Sequence, residues 1–233
     1  MLNINILTPF PDLVDVITKN SILGRAGKKD QVSYSIYNLF DFSDSPHNKI
    51  DDYPFGGGSG MILKPEPIFR AIESIRLKDE NQKYRIVFPT PDGEKFNQKK
   101  AIEFSKEENI IFICGHYKGI DERIRQELVT DEISIGDYVL TGGELPAMVV
   151  LDSIVRLIPG VLNCYESAAT DSFMGDLLDH PHYTRPEEYK ELKVPEVLLS
   201  GNHAKIDEWK MHKREEKTKN IRQDLWKKYL KKN

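Results

Sequence analysis

Apolar and polar positions alternate over Leu2–Leu7 and again over Val32–Leu39, which is the period of a half-buried strand. Tyr84–Phe88 and Ile110–Cys114 are short, nearly continuous apolar runs rich in β-branched residues, the pattern of strands covered on both faces. Glu132–Leu140 reads as a further strand. Helical spacing takes over at Pro65–Leu77, where Ile68, Ile72 and Ile75 share a face behind a proline suited to a first turn. Asn97–Ser105 and Asp121–Leu128 follow strands and read as helices, and Gly143–Leu157 is a long apolar helix that stops before Pro159-Gly160. Strands alternating with helices predict an α/β domain with a mostly parallel sheet over residues 1–160. Residues 161–172 are rich in small and polar side chains and read as a flexible linker. Beyond them apolar content falls, and Trp209, Trp226 and Tyr229 sit among lysines, which predicts a small all-helical domain over 173–233.

Composition narrows the class without naming a function. Of the 233 residues, 39% are apolar and 30% charged, too apolar for a disordered chain. The longest apolar runs, Ala147–Leu151 and Ile110–Cys114, are far shorter than the roughly 20 residues of a membrane span. The N-terminus lacks a basic stretch followed by an apolar one, so no secretory signal is read and a cytoplasmic location is expected. Cys114 and Cys164 are too few for a disulfide scaffold or a multi-cysteine zinc module. The net charge of −4 conceals an asymmetry: residues 203–233 hold 11 Lys/Arg against 5 Asp/Glu, a surplus of six, which leaves −10 for the first 202. A basic tail on an acidic body suits a polyanion partner, and a solvated helical face of mixed charge would look the same.

The usual cofactor signatures are missing. No G-x-G-x-x-G follows a strand, and Gly56-Gly57-Gly58-Ser59-Gly60 leads into Met-Ile-Leu rather than Lys-Ser/Thr. His180-Pro181-His182 pairs two imidazoles, but no cysteine or carboxylate set at zinc spacing is read beside them, so no metal site is expected. What remains is glycine gathered in three loops: Gly56–Gly60, Gly115 with Gly119, and Gly136 with Gly142-Gly143. The last two flank predicted strand ends, where open α/β sheets hold ligands. They describe either one pocket walled by backbone, suited to a neutral heterocycle such as adenine, or ordinary tight turns.

Longer motifs at these loops resemble a known family. Cys114-Gly115-His116-Tyr117-Lys118-Gly119-Ile120-Asp121-Glu122-Arg123 is similar to a segment of the bacterial tRNA (guanine-N1)-methyltransferases. The likeness continues in Ser134–Ala147, Asp51–Met61, Asp179–Pro186 and Val197–His203, in order and over nearly the whole chain. It implies a SPOUT-class fold with a deep trefoil knot, a feature that periodicity cannot suggest because knots are essentially absent from ordinary folds. It also implies a homodimer whose active sites are shared between protomers, S-adenosylmethionine as methyl donor, and tRNA as substrate, methylated on guanosine 37, 3′ of the anticodon. No DNA or membrane partner is implied. The likeness leaves a role for Mg2+ open, with no dedicated ligand set visible.

Carried over by position, the cofactor pocket would be lined by Phe88, Pro89, Thr90 and Pro91, with Gly115, Ile135, Gly136, Tyr138, Leu140, Gly142, Gly143 and Pro146. Tyr138 and Leu140 would sandwich an adenine. Asp171 matches the family's general base and Arg156 the residue that stabilises charge on the guanine O6. Read from the residues alone, Asp171 in Thr170-Asp171-Ser172 is equally a helix N-cap, and Arg156 a last-turn cation meeting the helix dipole. Asp51, Gly60, Ser167, Arg185, Lys210 and Lys213 are candidates for substrate contact. Glu144 reads as a cap residue. Lys118 stands where some family members carry Glu, and Pro91 adds a second proline to its loop. Two other functions stay open on these residues: an RNA-binding module without chemistry, and a knotted methyltransferase acting elsewhere on RNA.

Overall fold

The computed structural model describes residues 1–78, 82–162 and 171–232. The chain forms two compact units, Met1–Asn163 and Cys164–Asn233. The division falls within the segment expected to be a linker.

Five parallel strands make the sheet of the first unit: β1 (Leu2–Thr8), β2 (Val32–Asn38), β5 (Arg85–Lys95), β6 (Asn109–Ile113) and β7 (Asp131–Ser134), in the order β2-β1-β6-β5-β7. The short strands β3 (Asp51–Asp52) and β4 (Ile62–Leu63) pair antiparallel beside it. All five residues of β6 are buried, as its unbroken apolar run requires of the central strand. Helices α1 (Pro11–Thr18), α2 (Ser21–Lys28), α4 (Gln98–Phe104) and α6 (Glu144–Val155) bury Val14, Leu23, Phe104 and Leu151 against one face, with Ile4, Ile110 and Phe112 of the sheet. Helices α3 (Pro65–Arg76) and α5 (Glu122–Glu127) bury Ile68, Ile72 and Ile124 against the other, with Ile86, Ile111 and Ile113.

Three expectations change. The strand read over Glu132–Leu140 ends at Ser134, whose hydroxyl turns onto the Gly136 carbonyl at 3.1 Å, so the chain leaves the sheet and becomes loop. The strand read over Tyr84–Phe88 extends to Lys95, because Pro89 and Glu94 both register with Ile133 and the residues between them are extruded. Helices α1 and α2 lie where no element was read: at eight residues each they span little more than two turns, a short stretch in which to recognise a helical period.

In the second unit, α7 (Glu196–Leu199), α8 (His203–Ile221) and α9 (Gln223–Lys232) supply the helices. They are joined by a two-stranded ribbon, β8 (Glu188–Tyr189) with β9 (Leu192–Lys193), which the all-helical expectation did not contain. The extended segment before it is pinned along α8. The Leu178 N–H donates to Thr218 Oγ1 at 2.9 Å, and Arg214 Nε donates to the Leu178 carbonyl at 3.2 Å.

Candidate active site

Where β6 and β7 end and β5 extrudes its loop, the first unit opens a cavity of about 350 Å3. All twelve residues expected to hold a cofactor line it. Phe88, Pro89, Thr90 and Pro91 come from β5 and its loop, Gly115 from the turn after β6, and Ile135, Gly136, Tyr138, Leu140, Gly142, Gly143 and Pro146 from the segment joining β7 to α6. Tyr138 and Leu140 are half exposed, so their apolar surfaces are available to a ligand.

Two loops meet at the cavity wall through their backbones. The Gly143 N–H donates to the Gly115 carbonyl at 2.8 Å, and His116 bridges Gly142 in a strand-like pair. A Cβ on Gly143 would lie 2.6 Å from the Gly115 nitrogen, so it could not be added without displacing the other loop, and one on Gly142 would run into the His116 ring and the Glu144 carboxylate. Glu144 lies beneath this contact. It is buried, accepts from Thr8 Oγ1 at 2.6 Å, and is 2.9 Å from His116 Nε2 through its other oxygen. The residue read as a helix cap thus ties the end of β1 to the cavity wall. Burial, with the Glu144 charge nearby, pushes the adjoining Cys114 thiol well above its ordinary range.

The remaining walls are fixed by charge. Arg125 on α5 binds Glu132 at 2.6 Å and Asp92 of the extruded loop at 2.9 Å. Thr90 donates to the same Asp92, and these bonds hold that carboxylate below its usual range. Tyr117, in a left-handed backbone conformation at φ 59°, lines the cavity. Burial and a hydrogen bond to Asp51 push its phenol upward, which places Asp51 beside the wall. Gly60 is not in the lining but lies under the Lys118 side chain, and Lys118 itself lines the cavity.

The other candidates lie outside this cavity. Arg156 caps the C-terminus of α6, and its N–H bonds the Asp152 carbonyl at 3.1 Å. Asp171 stands in a turn and accepts the Met174 N–H through its carbonyl at 3.3 Å. No helix begins there, so the N-cap expectation is corrected. Ser167 lies outside the described residues. Arg185 is exposed. Lys210 pairs with Asp207 at 3.6 Å and Lys213 with Glu216 at 2.6 Å, each one turn along α8. Lys217 and Arg214 donate to backbone carbonyls of the second unit. His180 and His182 are joined by Asp179, which sequence reasoning had not counted beside them. Burial pushes the Asp179 carboxyl up, and the bonds from His182 and the His180 amide outweigh it, leaving it below its usual range.

Residues 2–228 match the family described as tRNA (Guanine-1)-methyltransferase TrmD. The chain belongs to that family. It is 55% identical over 226 residues to the tRNA (guanine-N(1)-)-methyltransferase of Bacillus subtilis (strain 168), covering 97% of this chain and 93% of the relative. It is 50% identical over 228 residues to the enzyme of that name from Listeria monocytogenes serovar 1/2a, covering 98% and 93%. A third relative, from Bacillus pumilus (strain SAFR-032), is 54% identical over 224 residues, covering 96% and 91%. Within this TrmD-family chain the wall residues His116, Tyr117 and Thr141 were not singled out from sequence, although all three lie inside the motifs that carried the resemblance, and Lys118 was marked only as a departure from the family. Their signal was adjacency to the loop glycines. Glu144 follows Gly143 and shares that signal, but its role in the wall stays hidden because the partners that bury it, Thr8 and His116, are distant in the chain.

Proposed function

We propose that this chain transfers the methyl group of S-adenosylmethionine to N1 of guanosine 37 in tRNA, on the 3′ side of the anticodon. The observation that carries the reading is the cavity at the strand ends, in which the twelve residues expected for the cofactor converge. Its volume of about 350 Å3, its glycine-rich backbone walls and the open faces of Tyr138 and Leu140 fit a group with a flat heterocycle. Phe88, Pro89 and Gly115 would hold it on one side, Ile135, Gly136 and Gly142 on the other. When bound, S-adenosylmethionine supplies the methyl group at an electrophilic sulfonium. The chain is taken to thread as the trefoil knot of its class, and the Gly143–Gly115 contact between two loops supports this.

Guanine N1 carries a weakly acidic proton, so the chain must accept that proton and stabilise the charge developing on O6. Asp171 takes the first role. A carboxylate in water is a weak base for so weak an acid, and a carboxylate sheltered from water is a stronger one. Arg156 takes the second role through its permanent cation. Base access requires the guanine to leave its stack. The lysines and arginines of α8 suit phosphate contacts. A homodimer is supported by exposed apolar side chains on two neighbouring helices, Leu13 and Val16 of α1 with Leu145 and Val149 of α6. No helix among the described residues is long and apolar enough to cross a membrane, and we place the protein in the cytoplasm with its substrate. Mg2+ takes oxygen ligands, and the single candidate cation group among the described residues is rich in histidine, so no step is routed through that ion.

A methyl-transfer assay on two transcripts differing only at position 37 tests the activity. Label enters the guanosine transcript and not the adenosine one; equal incorporation into both would refute the assignment. Asp171→Asn should nearly abolish turnover while calorimetry shows cofactor binding retained. A wild-type rate in that variant removes Asp171 as the base.

A further inference from the structure

The second unit holds a group of side chains to which the proposed methyl transfer assigns no role. Asp179, His180 and His182 each present one ligand atom, and the three atoms lie within 4.8 Å of one another. His180 Nδ1 is 3.0 Å from the Pro181 carbonyl oxygen, which can only accept, so Nδ1 donates there and Nε2 is the nitrogen left to ligate. His180 Nε2 lies 3.8 Å from Asp179 Oδ1. On the other side of the carboxylate, His182 Nε2 lies 2.8 Å from Oδ2. A ring nitrogen fixed by a hydrogen bond from its partner nitrogen to a backbone carbonyl is the usual support of a metal-ligating histidine.

The carboxylate between them accepts the His180 backbone N–H at 2.7 Å, and the backbone that carries it is held on several sides. The Asp179 N–H donates to Ser172 Oγ at 2.9 Å, the Asp179 carbonyl accepts from Lys217 Nζ at 3.1 Å, and the preceding Leu178 is bonded to Thr218 and Arg214 of α8. The Trp209 ring stands 6.5 Å from that of His180 and limits its rotation. His182 is exposed, and its ring lies against that of His180 with centroids 4.3 Å apart. Zinc–nitrogen and zinc–oxygen bonds of ~2.0–2.2 Å set tetrahedral ligand atoms roughly 3.3 Å apart, between the 2.8 Å from His182 Nε2 to Asp179 Oδ2 and the 3.8 Å from His180 Nε2 to Asp179 Oδ1.

We propose that Asp179, His180 and His182 form a three-ligand site for a divalent ion of the zinc class, with a fourth position open to water. Two imidazoles and one carboxylate favour Zn2+, Co2+ or Ni2+, and disfavour Mg2+, which wants an octahedron of oxygens. On binding, two metal–nitrogen bonds and one metal–oxygen bond form as three waters leave the aqueous ion, and the neutral His182 ring carries its hydrogen on Nδ1 so that Nε2 is the ligating atom. The site is independent of the methyl-transfer assignment.

The test uses the full chain, stripped of metal with a chelator. Co2+ is titrated while its d–d absorption is followed, and Zn2+ by calorimetry. The expected result is one equivalent per chain, a tetrahedral Co2+ spectrum and no displacement by Mg2+. His180→Ala and His182→Gln should each weaken binding at least ~10-fold. The glutamine variant can keep a hydrogen bond to Asp179, and an unchanged near-ultraviolet circular dichroism of the tryptophans shows the unit intact. The proposal is overturned by absence of saturable binding, or by Co2+ binding that both variants leave unchanged.

Discussion

Asp131 shows how much one side chain can organise. It opens β7, is nearly buried, and receives both arms of the Arg85 guanidinium at 2.8 Å. Glu103 and Glu107 complete the circle around Arg85, whose guanidinium lies over the Phe104 ring at 4.1 Å. Burial pushes the Asp131 carboxyl up, while the Arg85 hydrogen bonds, Thr130 and Lys100 outweigh it and leave it below its ordinary value. As pH falls, the unfolded chain therefore binds this proton first. The stabilisation is complete above the ordinary carboxylate pKa of about 3.9 and is lost as pH drops from there through the lower folded value. Asp131→Asn leaves Arg85 without its bidentate partner and should cost about 3 kcal/mol in urea unfolding near neutral pH. The same variant should flatten the acid limb of the stability profile, and an unchanged limb would show that the cluster carries no linkage.

Among the elements, the junction of the loop after β6 with the start of α6 decides whether a pocket exists. Two glycines, a backbone hydrogen bond and the buried Thr8–Glu144–His116 chain hold it. In Gly143→Ala the new methyl would meet backbone at 2.6 and 2.9 Å, where no flexible side chain can yield. Overpacking of this kind costs typically 1–3 kcal/mol, and relief requires the two loops to part. Calorimetry should therefore show weakened S-adenosylmethionine binding in a chain that still folds. Affinity equal to wild type would mean that the loops can separate without opening the pocket. The glycine pairs were legible as loop signals in the sequence, and strand-end position suggested a ligand. The extrusion of residues 90–93 from β5 was not, because a strand that loops out and rejoins the same neighbour has no periodic signature.

For the whole molecule, the apolar residues left outside matter most. Leu13 is 44% exposed, Val16 63%, Leu145 48% and Val149 49%, on helices that pack side by side. An apolar surface of that kind is expected to be covered, and the proposed homodimer covers it with a second copy. Replacing Leu145 and Val149 with glutamates should convert the dimer to a monomer in light scattering, with the circular dichroism of the fold preserved. A dimer of unchanged mass would move the interface elsewhere. The charge asymmetry of the sequence persists at this scale, since α8 and α9 carry the basic surplus in the second unit. Two of those cations pair with acids one turn away, Lys210 with Asp207 and Lys213 with Glu216, and so offer a partner a softer field than the count suggests.

The sequence by itself determined the alternating α/β order, the buried run of β6, the glycine loops at strand ends and, through its long motifs, the family. Local period and local turn chemistry are properties of neighbours in the chain, so they can be read there. Only the tertiary structure brought twelve dispersed residues into one cavity, placed Glu144 between Thr8 and His116, set Asp51 against Tyr117, and put Asp179 between two histidines whose carboxylate partner had gone unread. Each of these depends on which side of a loop a side chain leaves the backbone, and that is settled by packing against segments far away in sequence.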